Sequence, residues 1–197
     1  AFVKDGFELP EAKSFVAWKD VDTLYVGTDF GADSLTNSGY PRIVKLWRRG
    51  TPLQAATLVF EGQSGDVGVG GARDEHQGST GDAVTRSMTF FQNEVYSLDG
   101  DKPELLSQPN DAELCFFRDF VLFQLRSDWT EGGKTWPAGS LLAAPLAAYR
   151  AGQRALQAVY TPASNRSLTD FSRTKNTLLL NVLEDVHTRV QVARFEQ

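Results

Sequence analysis

One cysteine, two histidines and one methionine are all that the 197 residues hold of those types, and each scarcity closes off a chemistry. The lone cysteine, Cys115, permits no intrachain disulfide and no cysteine-based zinc site. It stands between Leu114 and Phe116-Phe117, the setting of a buried, inert thiol that packs as a small hydrophobe. His76 and His187 have no metal-ligand spacing. His76 falls in a polar loop and His187 just after a turn, where a solvated histidine is expected rather than a general base.

No apolar run approaches the ~20 residues that a bilayer-spanning helix requires, so no membrane partner is expected. Basic residues are dispersed: the formal charge is -5, and Arg48-Arg49 is the only adjacent basic pair. Because counterion release at phosphates needs clustered Lys and Arg, nucleic acid is not an expected partner either. The Arg48-Arg49 pair reads as the border of a solvated turn. The sequence starts at Ala1 with neither a Met nor a signal-type apolar segment, which predicts a trimmed chain or a piece of a longer protein. Targeting cannot be read from an absent terminus, so localisation stays open with a cytoplasmic setting favoured.

Catalytic signatures are missing too. The nearest approach to a Gly-x-Ser-x-Gly nucleophile elbow is Gly62-Gln63-Ser64-Gly65-Asp66, which has no glycine at the required second place. Asp29 with Asp33, and Asp99 with Asp101, are carboxylate pairs in turn-forming surroundings with no calcium-loop pattern about them. The residues therefore supply no catalytic group, no metal ligands and no cofactor site.

What is present is strand after strand. Hydrophobic residues make up 41% and charged residues 23%, ordinary globular usage, and the chain is long enough to bury a core. The organising stretch is 14–60, where β-branched and aromatic runs at 15–18, 23–28, 42–48 and 53–60 are separated by turn residues and by a polar loop over 29–40. Four antiparallel strands in ~45 residues is the size of one propeller blade. Strands at 67–72, 83–91, 94–98 and 103–108 predict a second set, with 73–82 as a polar loop and Asp99-Gly100 as a hairpin turn. Gly68, Gly70 and Gly71 suit a strand in a crowded inner position, or a bulge. A third set follows at 113–117, 120–125, 140–144 and 156–160, with a glycine-tipped loop over 126–137 and a helical turn at 146–152 ending at Gly152. A fourth set at 167–171, 177–183 and 186–195 is one strand short, and 2–9 is a strand-like segment without a sheet.

The inner-strand starts at Phe15, Val67, Leu114 and Leu168 are 52, 47 and 54 residues apart. This quasi-repetition predicts an all-β chain of propeller blades, each of four antiparallel strands, in units 14–60, 64–108, 111–160 and 164–197 of one partial domain. A β-sandwich of about fifteen strands is the alternative. Trp18 and Trp47 lie inside predicted strands and are expected in the core. Trp129 and Trp136 flank Gly132-Gly133 and are the expected surface contacts, so Trp136→Ala should leave the fold intact while Leu122→Asp should not.

The strings LPEAKSFVAW, DTLYVGTDFG, SLTNSGYPRIVKLWRRGTPL and LRSDWTEGGKTWPAGSLLAA resemble the β-propeller of bacterial prolyl oligopeptidase-like serine peptidases, most strongly over 9–60 and 119–144. In that family a seven-bladed propeller caps an α/β-hydrolase domain and restricts access to short peptides. The resemblance implies about four of the seven blades, no position here for the catalytic triad, and substrate-pocket contacts that match no particular residue. It implies as partners an α/β-hydrolase domain of the same parent and short peptides. The expected function is a non-catalytic propeller segment that gates peptide access. The alternative is a free-standing propeller that binds a protein or glycan. Blade faces left open at the two ends predict a homo-dimer, unless four blades close into a small ring.

Overall fold

The computed structural model of the chain describes residues 6–76, 79–99 and 102–195. Its first sheet runs in sequence order, β1 (Phe15–Asp20), β2 (Thr23–Gly27), β3 (Ile43–Arg48) and β4 (Thr57–Glu61), every pair antiparallel. The second is again a meander, of β5 (Gly68–His76), β6 (Ser79–Ser87), β7 (Asn93–Ser97) and β8 (Glu104–Leu105). The third joins β9 (Glu113–Phe117), β10 (Phe120–Gln124), β13 (Leu141–Pro145) and β14 (Gln157–Tyr160). Between β10 and β13 a two-stranded hairpin is inserted, β11 (Trp129–Glu131) with β12 (Lys134–Trp136). A short helix α1 (Leu146–Arg150) follows β13. The fourth sheet has three strands among the described residues, β15 (Arg166–Arg173), β16 (Thr177–Glu184) and β17 (His187–Arg194). The fold is nearly all β, and its three four-stranded antiparallel sheets are consistent with propeller blades.

The chain divides into two compact units, residues 1–73 with 81–107, and residues 74–80 with 108–197. In the first, alternation sends Tyr25 and Val44 of the first sheet against Val69 and Val84 of the second. The glycines of β5 make that approach possible: a Cβ at Gly71 would stand 2.9 Å from Val44 Cγ1 and 3.0 Å from Tyr25 Cβ. The opposite face of the first sheet, Leu24, Val26 and Trp47, is covered by Phe7, Leu9, Phe30, Leu53 and Ala56. In the second unit, Leu178, Leu180 and Val182 alternate along β16 to meet Phe117, Leu122, Leu141 and Ala143 of the third sheet.

Several sequence expectations are corrected. The predicted loop over 73–82 is mostly strand, because β5 and β6 extend on either side of residues 77–78. The predicted strand over 53–60 begins as a 3₁₀ turn (Leu53–Ala55), after which β4 forms. The predicted loop over 126–137 contains the β11–β12 hairpin; Gly132 and Gly133, with φ of +60° and +78°, supply the left-handed pair that a tight two-residue turn requires. The strand expected over 103–108 shrinks to the two residues of β8. Residues 6–9 form no strand. Phe2 to Asp5, Gly100 and Asp101 lie outside the described residues, and with them part of the predicted 2–9 segment, the Asp99-Gly100 turn and the Asp99/Asp101 pair.

Candidate functional site

The start of β1, the end of the 29–40 loop and the turn after β6 come together at one end of the first unit. Val69 N donates to Pro41 O and Val67 N to Ser87 O, both at 2.8 Å, so β5 links the loop to the turn. Asp29 shapes the loop by accepting from Gly31 N and from the Ser34 hydroxyl. Tyr40, at its end, lies nearly parallel to Phe15, 14° between planes and 6.3 Å between centroids, and the Lys13 ammonium sits 4.2 Å above the Tyr40 ring. The two rings lie against glycine backbone: a Cβ on Gly68 would be 3.2 Å from Tyr40 Cβ and 3.6 Å from Phe15 Cε2. Phe15 and Tyr40 stay about 40% exposed. In the turn, Met88 N and Thr89 N both donate to Gln92 O, and Phe90 and Phe91 project with 84% and 82% exposure.

Behind this end, the first unit is held by two ionic networks. Asp82, nearly buried, accepts from Tyr25 OH at 2.7 Å and Lys19 Nζ at 3.1 Å on one oxygen, and from Arg73 Nη1 at 3.4 Å on the other. Burial, with the bond to Asp82, pushes the Tyr25 phenol up to about 12. Burial alone would lower the Lys19 ammonium, but its bonds to Tyr25 and Asp82 outweigh that and leave it raised. In the second network Arg86 forks onto Asp66 at 2.8 and 2.9 Å and reaches Glu94 at 3.0 Å, which also accepts from Tyr96 OH. Burial would raise Asp66, yet Arg86 and the Gln63 amide hold it below the usual carboxylate range. Both networks tie strands together through charge-assisted hydrogen bonds.

The tryptophan expectation is largely reversed. Trp47 is buried as expected, but Trp18 is 56% exposed and lines a pocket of about 590 Å³ with Phe7, Leu9, Val16, Leu24 and Arg49. Trp129 and Trp136, expected at the surface, are buried at 9% and 6% exposure. They pair across the β11–β12 hairpin; Trp129 meets Phe123 edge-on at 5.5 Å, and Lys134 covers the Trp136 ring at 3.5 Å. A hairpin tip does imply exposure for its glycines, but the rings beside it turn inward. Cys115 is mostly covered, and burial pushes its thiol up to about 12, so it is a poor nucleophile. His187 is exposed, with Nδ1 2.9 Å from Asp185 O, while the His76 side chain lies outside the described residues. Arg49 closes a turn by bonding Asp22 and Val21 O. Among the described residues no three His, Cys, Asp or Glu are grouped to hold a metal, and no helix is long and apolar enough to cross a membrane. The exposed Phe90-Phe91 pair escaped sequence reasoning, which ran a strand through to residue 91; the signal was two adjacent phenylalanines beside Gln92-Asn93.

No protein-family model matches the chain. It is 31% identical over 96% of its length to the uncharacterized peptidase y4nA of Sinorhizobium fredii. Its whole length superimposes on a post-proline cleaving enzyme from Rickettsia typhi with a TM-score of 0.86 and 25% identity. Its relatives are peptidases of the prolyl oligopeptidase family. A prolyl endopeptidase structure described for its inter-domain dynamics shares the fold over 93% of the chain, with a TM-score of 0.66 at 17% identity. The chain spans 28% of the S. fredii peptidase, 31% of the R. typhi enzyme and 27% of the prolyl endopeptidase. Against this family its all-β meanders correspond to part of a β-propeller domain.

Proposed function

We propose that the chain is a non-catalytic propeller portion of a prolyl oligopeptidase-type serine peptidase, and that it limits access of peptides to an α/β-hydrolase domain of the same parent so that short ones are cleaved. The observation that carries this reading is the superposition of the entire chain on a stretch of a post-proline cleaving enzyme. The four sheets are then blades of one propeller, in units 14–60, 64–108, 111–160 and 164–197. No Gly-x-Ser-x-Gly elbow occurs in the sequence, Cys115 is protonated at neutral pH, and the buried carboxylates are engaged by Arg86, Lys19 and Tyr25.

The 197-residue chain should therefore neither cleave proline-containing chromogenic peptides nor take up a serine-directed fluorophosphonate, whereas the full-length product of its gene should do both. Stoichiometric labelling of any serine in the short chain would refute the non-catalytic reading. The exposed aromatic end favours a second reading, a propeller that binds a separate protein; a full-length product that takes up no fluorophosphonate would decide for it. In isolation the chain is expected to pair with a second copy, since β17 is an edge strand in its sheet with Val190 and Val192 exposed at 63% and 56%. Light scattering that gives the 21.7 kDa chain mass at every concentration would exclude that association.

A further inference from the structure

We propose that Asp74 and Arg173 clasp the open edge of β9 and so hold the third and fourth sheets at a fixed spacing, which sets the length of peptide that the parent peptidase admits. The inference rests on the reading of the chain as a propeller portion that limits peptide access, and adds to it the two side chains that set the limit.

β9 is the first strand of the third sheet and lies at its edge, and β15 is the first strand of the fourth sheet and lies at the edge of that one. An edge strand leaves alternate N–H and C=O groups with no neighbouring strand to pair them. At Phe116 both groups are taken by side chains: Phe116 N donates to Asp74 Oδ2 at 3.0 Å, and Arg173 Nη1, from the end of β15, donates to Phe116 O at 2.6 Å. The same guanidinium nitrogen donates to Asp74 Oδ2 at 2.5 Å, so the three groups close on one another. The pair does at this point what a further strand would do, and Arg173 joins the edge of one sheet to the edge of the next. With the Arg173 and Asp74 side chains only 22% and 25% exposed, the pair is shielded enough for charge-assisted bonds to hold it.

The hairpin that carries Asp74 is built for reach. β5 and β6 have nine residues each, but β6 pairs with β7 only from Ala83 to Ser87, so the hairpin runs on past its own sheet. Its residues 74–80 group with the second unit. Within that unit, Phe117, Leu122 and Leu141 of the third sheet pack on Leu178 and Leu180 of the fourth, a contact that is apolar and non-directional. The clasp is directional, and it lies at the two first-strand edges rather than in the core between the sheets. Blades of a propeller surround a central channel, and on the blade reading these edges face it. Opening the clasp would let the two edges part and widen the channel at that place, with the apolar core still in contact.

The test compares cleavage of a short and a long peptide that share one proline site, by the full-length product of the gene. The wild type should favour the short peptide in kcat/KM. Asp74→Ala and Arg173→Gln should each narrow that preference by about fivefold or more through faster cleavage of the long peptide, with the short one within about twofold of wild type. Gly71→Ala, which disturbs packing in the first unit without touching the clasp, should leave the preference unchanged. Clasp variants with the wild-type preference overturn the proposal, and so does an equal narrowing in Gly71→Ala, because any loosening would then act alike. Loss of cleavage of both peptides in both clasp variants also overturns it, since the pair would then serve the fold and not the gate. A wild type that cleaves the two peptides equally, or neither, defeats the underlying reading itself, whereas a selective wild type with unmoved variants defeats only the clasp.

Discussion

The phenol of Tyr25 donates a 2.7 Å hydrogen bond to Asp82 across 57 residues of sequence, which joins β2 of the first sheet to β6 of the second. Lys19 completes a triangle with both, at 3.0 Å from the phenol and 3.1 Å from the carboxylate. Two sheets that meet through apolar side chains alone could slide; a directional bond to a nearly buried carboxylate fixes their register.

This bond predicts alkaline sensitivity. The Tyr25 pKa is raised from 10.0 to about 12, so the fold favours the neutral phenol. Its stabilisation is complete below pH 10 and is lost as pH rises through about 12; the raised Lys19 pKa acts in the same direction. Urea midpoints should fall across this window. Tyr25→Phe should flatten the fall and cost about 1–3 kcal/mol at neutral pH, since Asp82 loses a donor. An unchanged alkaline slope in the variant would assign the effect to other groups.

Gly71→Ala should destabilise by about 1–3 kcal/mol, because the new methyl lands within 3.0 Å of Val44 and Tyr25 in the seam between two sheets. Gly65→Ala, with nothing within 4 Å of its Cβ position, should stay within about 0.5 kcal/mol of the parent. Equal melting temperatures for the two variants would contradict the packing described.

Trp136→Ala is expected to cost about 3–5 kcal/mol, as for other large aromatic side chains removed from a core. That outcome replaces the expectation drawn from sequence, in which the residue was a surface contact. Leu122→Asp, at a position with no exposed area, should be at least as damaging because the carboxylate finds no partner. Thermal unfolding of the Trp136 variant at the wild-type temperature would restore the surface reading.

At the turn between β16 and β17, Asp185 and Val186 both have positive φ, 47° and 67°. A β-branched residue is strained there, and Val186 is 89% exposed, so packing returns nothing. Val186→Gly should raise stability by about 0.5–1 kcal/mol, the strain relieved less the added chain entropy. A loss measured by denaturant titration would mean that the valine makes a contact beyond this unit.

The legible parts of the fold were those with local causes. β1, β2 and β3 come from β-branched and aromatic runs cut by Asp-rich and Gly-rich turns, and such signals need no knowledge of the partner strand. The β5–β6 extension was hidden because Arg73, Asp74 and Glu75 look like loop residues; here they sit in a strand, where Arg73 is paired with Asp82 and Asp74 with Arg173. The tryptophans failed for the complementary reason. Trp18 lies in a strand, but its face is only partly covered by Phe7 and Arg49, whereas Trp129 is shielded by Phe123 of another strand. Burial of this kind depends on neighbours that sequence spacing does not supply, and the same holds for the Tyr25 and Asp82 contact. The exposed phenylalanines were visible as letters, but only the turn geometry separates them from the end of β6.

The meander order of the sheets also bears on how the chain reaches its fold. In the first sheet each strand pairs with the next one in sequence, and all four are complete by Glu61. The third sheet keeps that order, with the β11–β12 hairpin inserted between β10 and β13 and α1 between β13 and β14. Loop closure within a sheet is therefore short-range, which favours rapid formation of each sheet by itself. During synthesis the first sheet could assemble before the third has left the ribosome, leaving the bond between Tyr25 and Asp82 as a late event that waits for the second.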